Sequence, residues 1–81
     1  MRYEVDMVVQ QPLDDRARRL LTEVQKSANR VLRFHGDDST ITIVVEAHGM
    51  DQDDAIRLAR GHIARIYPGA EYQAVGEPRV F

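Results

Sequence analysis

Polar and apolar residues alternate through the first ten positions, with Val8 the one break. In RYEVDMVVQ, Tyr3, Val5, Met7 and Val9 fall on one side and Arg2, Glu4, Asp6, Val8 and Gln10 on the other. That two-residue period is the mark of a strand with one buried face. Pro12 has no N–H to give to a ladder and ends it. The period then lengthens, and Leu13, Ala17, Leu20, Leu21, Val24 and Ala28 fall on one stripe of a helix. Asp14 and Asp15 sit in its first turn, where the helix dipole favours acid, each with an arginine (Arg18, Arg19) four residues on.

The stretch NRVLRFHGDDSTITIVVE reads as a hairpin. A turn centred on Asp37-Asp38 sets Phe34 against Ile41, Arg33 against Thr42, Leu32 against Ile43, Val31 against Val44 and Asn29 against Glu46. In that register Phe34, Leu32, Ile41 and Ile43 share one face, and Val31, Arg33, Thr42, Val44 and Glu46 share the other. A four-residue loop from Gly36 to Ser39 is an equal alternative. A second helix is expected from about Asp51 to Tyr67, with Ala55, Ile56, Ala59, Ile63 and Ile66 as its apolar stripe and Pro68-Gly69 as its stop. The last segment alternates weakly, with Ala70, Tyr72 and Ala74 inward. Gly76 and Pro78 then suggest that residues 77–81 form a flexible tail, unless Phe81 serves as a short arm on a neighbouring subunit.

Strand, helix, strand, strand, helix, strand resembles the ferredoxin-like βαββαβ arrangement within one α+β domain spanning residues 1–81. Right-handed crossovers then place both helices on one face of a four-stranded antiparallel sheet in order 4-1-3-2. The likeness is to a fold that hosts many unrelated functions. The acylphosphatase-type glycine-rich loop, the cysteine pair of metal chaperones and the aromatic motifs of RNA-recognition modules are all missing.

The one stretch that suggests chemistry is EAHGMDQDDAIRLARGH, with His48, Asp51, Asp53, Asp54 and His62 close together. A calcium loop starting at Asp51 would need Gly at its sixth position and Glu at its twelfth, where the chain has Ile56 and His62. A zinc-protease helix needs two histidines four apart, and that spacing does not occur. Helix capping accounts for the same residues. Asp51 is an N-cap, Asp54 reaches back, Met50 packs on Ala55 as a staple, Asp53 meets Arg57, and Gly49 turns the strand into the helix. No metal or cofactor is expected. His62 is expected half-buried beside the apolar stripe, and His35 solvated. Reading the first and third strands as sending their C-terminal ends to the same side sets His48 near Gln10 and Gln11, and Asp51 near Asp14. There His48 is a candidate ligand or general base at a cleft, without a placed partner.

Composition narrows the field. There is no cysteine for a disulfide or a thiolate zinc site, and no apolar run of membrane-span length, so a cytoplasmic location is expected. A net charge of −2 disfavours nucleic acid, which selects cationic surfaces. Attention therefore falls on the sheet face away from the helices, where Val8, Val31 and Val44 form an apolar centre with Glu4, Asp6, Arg33 and Glu46 around it. The expected function is a non-catalytic module acting through self-association, most simply as a homodimer, or through contact with another protein. The alternative is a small ligand-binding protein or enzyme of the dimeric α+β barrel type, its cleft lined by Asp6, Arg33, Glu46 and His48.

Overall fold

Each turn of the chain is fixed by a local device, and the sheet follows from them. The computed structural model describes residues 1–27 and 30–81. Its elements are β1 (Arg2–Val9), α1 (Asp15–Lys26), β2 (Val31–Gly36), β3 (Ile41–His48), α2 (Gln52–Ile66) and β4 (Tyr72–Val80). The strands form one antiparallel sheet in the order β2-β3-β1-β4, which is 4-1-3-2 read from the other edge. The α+β topology is ferredoxin-like.

A single core lies between sheet and helices. Tyr3, Val5, Met7 and Val9 of β1 and Ile41, Ile43, Val45 and Ala47 of β3 meet Ala17 and Leu21 of α1 and Ala55, Ala59 and Ile63 of α2. The alternation in β1 and the helical spacing in α2 thus select the residues that are buried. Ala28, the last position of the first helical stripe, lies outside the described residues, as does Asn29 of the hairpin. Ala70, Tyr72 and Ala74 pack inward as expected.

The hairpin register differs from expectation by two residues. Phe34 pairs with Ile43, His35 with Thr42 and Gly36 with Ile41, so the loop is residues 37–40. The cause is Asp37, whose carboxylate accepts the backbone N–H groups of Ser39 at 2.8 Å and Thr40 at 3.0 Å. This Asx-type turn moves the hairpin centre one residue toward β3. A bulge follows between Val31 and Arg33, and Val31 pairs with Val45 rather than Val44. An extra residue reverses the alternation beyond it, so Val31 points into the core instead of joining the open face.

A second correction concerns strand direction. β1 and β3 are antiparallel, with Arg2 opposite His48 and Val9 opposite Ile41. The crossover through α1 makes β2 parallel to β1, and the hairpin then reverses β3. His48 therefore lies beside Arg2, at the other end of β1 from Gln10 and Gln11, and Asp51 is far from Asp14.

Residues 77–80, expected as a tail, complete β4. Val80 pairs with Tyr3 and Arg79 with Glu4, and the Phe81 N–H donates to the Arg2 carbonyl at 3.0 Å. The strand gets past the Gly76–Pro78 interruption through a register shift in its pairing with β1. Gly76 has φ +72°, a conformation that L side chains rarely adopt.

The register yields a test. Val31→Thr buries a hydroxyl without a partner and should cost about 1–3 kcal/mol, a fall in Tm of roughly 5–20 °C for a domain of this size. Val8→Thr, on the half-buried open face, should cost much less. Equal tolerance of the two in thermal unfolding would return Val31 to the open face.

Candidate functional site

The open sheet face carries charge arranged in two layers. Alternation that buries Val5 and Val45 necessarily turns Glu4, Asp6 and Glu46 outward, and Glu4 stands directly opposite Glu46 on the paired central strands. Like charges so placed destabilise a sheet unless countered. Arginines counter them from both sides. Arg33 of β2 grips Glu4 bidentately at 3.1 and 3.2 Å. Arg79 of β4 donates to the same Glu4 at 3.1 Å and bidentately to Asp6 at 3.2 and 2.8 Å. Glu46 accepts from Arg30 at 3.1 Å and faces Arg2 at 3.6 Å and His48 Nε2 at 3.2 Å. The two glutamates are sunken, at 18 and 19% side-chain exposure, beneath half-exposed guanidinium groups.

This lattice sets the titration of the face. The hydrogen bond from Arg33 does most to hold the Glu4 carboxyl below its ordinary value, against partial burial and with help from Arg79. Burial pushes Glu46 up, but the hydrogen bond from His48 and the charges of His48, Arg2 and Arg30 outweigh it, leaving it lowered. Arg33 and Arg79 are both held more firmly protonated by hydrogen bonds, Arg33 from Glu4 and Arg79 first from Asp6 and then from Glu4.

The expected interface residues are therefore differently placed. Arg33, Val44, Glu46 and Val8 share the open face, but Val31 does not. Val44, flanked by Asp6 on β1 and Arg33 on β2, is only 3% exposed in the single chain. Long arginine stems lay apolar carbon over such a site. Of the expected cleft residues, Glu46 and His48 touch, while Asp6 and Arg33 serve other pairs in the same layer. Arg2, Arg30 and Arg79 were not picked out by sequence reasoning. Arg79 becomes visible once β4 is laid antiparallel to β1, which sets it opposite Glu4.

The aspartate cluster at the start of α2 is a cap. Asp51 accepts from the Asp54 N–H at 2.9 Å, and Asp54 accepts from the Met50 N–H at 2.9 Å. The Met50 hydrogen bond, followed by that of Arg57, lowers the Asp54 carboxyl. Arg57 pairs with Asp54 rather than with Asp53. Met50 does not act as a staple, since it is 89% exposed. Gly49 is needed for close approach, because a Cβ there would lie 2.8 Å from the Ala55 nitrogen.

A surface groove of ≈ 590 Å³ lies between the start of α1 and the end of α2, lined by residues including Asp14, Arg16, Leu20, Ile66 and Tyr67. The Tyr67 hydroxyl is buried without a hydrogen-bond partner, and burial, then the Asp14 charge, pushes it up. It remains a neutral phenol. His62 lies half-buried between the helices beside Leu20, Val24 and Arg65, and burial, then Arg65 and Arg30, pushes its imidazole down. Among the described residues, no helix is long and apolar enough to cross a membrane. Comparison with family models, curated proteins and solved structures gives no match, so the site is read from its own geometry.

Two measurements probe these groups. The Glu4 carboxyl binds its proton less readily in the fold than at its ordinary value of 4.5, so its stabilisation is complete above that pH and is lost as pH falls below it. Glu4→Gln should cost about 1 kcal/mol at pH 7, a few degrees in Tm, and flatten the acid limb below pH 4.5. An unchanged acid limb would contradict the pairing. Tyr67→Phe removes an unsatisfied hydroxyl and should leave stability unchanged or raise it by up to about 1 kcal/mol. A loss larger than that would mean that the hydroxyl finds a partner in solution.

Proposed function

We propose that this protein is a non-catalytic, cytoplasmic module that works through protein–protein contact, with a second copy of itself as the simplest partner. The observation that carries this reading is the gathering of exposed apolar side chains at one end of the sheet. Met1 is 69% exposed there, Met50 still more, and Val80 and Phe81 stand beside them. Methionine, aromatic rings and arginine are the side chains that protein interfaces favour. The carboxylates of the open face, Glu4, Asp6 and Glu46, by contrast, are each paired with arginine within the chain. The absence of cysteine suits a reducing compartment.

Nucleic acid fits less well, since the chain is net acidic and the open-face arginines already have carboxylate partners. A second reading, a ligand-binding or enzymatic cleft formed between two copies, draws on the His48–Glu46 contact. A carboxylate that orients an imidazole is a common element of general-base sites.

Light scattering coupled to size-exclusion chromatography tests the reading. As concentration rises through the high micromolar range, the mass should climb from the 9.3 kDa of one chain toward twice that value. A 9.3 kDa species there would overturn it.

A further inference from the structure

We propose that two copies join end to end about a twofold axis near Met50, with the arginine flank of each against the aspartate flank of the other. The inference rests on the self-association reading above and names its surface. The end in question is built by backbone contacts. Met1 N donates to the Gly49 carbonyl and Gly49 N to the Met1 carbonyl, both at 3.1 Å, while Phe81 N bonds to the Arg2 carbonyl at 3.0 Å. These contacts set the exposed Met1, Met50 and Phe81 at the same end of the sheet, the N-terminal end of β1.

Charge divides that surface along the layers of the fold. On the open-sheet side lie His48 and Arg2, whose guanidinium sits 4.6 Å above the Phe81 ring. On the helix side lies the first turn of α2, with Asp53 exposed and without an ion-pair partner among the described residues. Met50 stands between them, because residues 49–51 carry the chain from the sheet layer to the helix layer. A twofold contact sets patch i against patch j and j against i. Rotation about Met50 therefore places Arg2 over the partner's aspartate flank twice, with methionine against methionine between.

Stacking two open faces is the competing arrangement. It would stack two layers of completed arginine–carboxylate pairs over a central Val44 that is already buried. The end surface sets opposite charges together in both halves, whereas the arginines of the open face already have their carboxylates within the chain. The molecule measures 35 × 23 × 20 Å, and a nine-residue strand of roughly 30 Å fits only along the longest of these extents. An end face bounded by the two shorter extents buries roughly a few hundred Å² per copy, at the low end for specific contacts, so the dimer is weak and concentration-dependent.

Charge reversal tests the geometry. Arg2→Glu alone sets acid against acid, and Asp53→Arg alone sets cation against cation. Each should weaken the dimer at least tenfold by sedimentation equilibrium. An equimolar mixture of the two variants should regain it, because both salt contacts re-form in the heterodimer. Met50→Glu should weaken it at least tenfold as well. Met50 and Asp53 have exposed side chains, so these two variants carry the test even if Arg2→Glu, which also faces Glu46, loosens the fold. Dimerisation indifferent to Met50→Glu and Asp53→Arg would overturn the end-to-end geometry and leave self-association standing. A wild-type monomer would end both.

Discussion

Two glutamates face each other across the centre of the sheet, and much of the surface is organised around that fact. The core pattern of β1 and β3 buries every second residue, and the pairing of the two strands then sets Glu4 against Glu46. Neither residue can leave this face without turning a core side chain outward. The repulsion is met by Arg33 and Arg79 at Glu4 and by Arg2, Arg30 and His48 at Glu46. The arginines come from both edge strands and from the ends of the sheet, so neutralising the pair also ties β2 and β4 to the centre.

This arrangement changes what the surface offers. An antiparallel sheet with helices on one side leaves its other side to water or to a partner. Here the chain covers its own open face, with arginine over carboxylate and Val44 buried between. Among the described residues, four of the six large apolar side chains left exposed, Met1, Met50, Val80 and Phe81, lie at one end of the sheet, while Val75 opposite Asp6 and Leu20 of α1 lie elsewhere. The edges are poor sites for strand addition. β4 contains Pro78, which has no N–H, and β2 is six residues long with a bulge at Leu32, whose carbonyl already accepts from Gln25.

Much of this was legible in the sequence, and the misses have particular causes. The alternation of Tyr3, Val5, Met7 and Val9, the α2 stripe and the Asp51 cap needed only local periodicity, so the element order and the sheet order followed. The hairpin register did not, because an Asp37 side chain competing for backbone N–H groups is invisible to hydrophobic pattern. The bulge that turns Val31 inward arises from the same stretch. The direction of β3 was available from topology, since a crossover followed by a hairpin must return antiparallel to β1, and misreading it misplaced His48. The arginine layer was hidden for another reason. Its members are far apart in the chain, up to 75 residues for Glu4 and Arg79, and meet only once the registers are known. Gly76 and Pro78 pointed to an interrupted edge strand, but not to the strand's resumption beyond them.

The central claim is that carboxylates on β1 hold the edge strands through arginine. A double-mutant cycle crossing Arg79→Met with Asp6→Asn measures this, since the two residues meet in two hydrogen bonds across neighbouring strands. The coupling energy from chemical denaturation should be about 0.5–1 kcal/mol at low ionic strength and shrink as salt is added. Additive losses, with no coupling at any salt concentration, would mean that the arginine layer decorates the sheet without holding it.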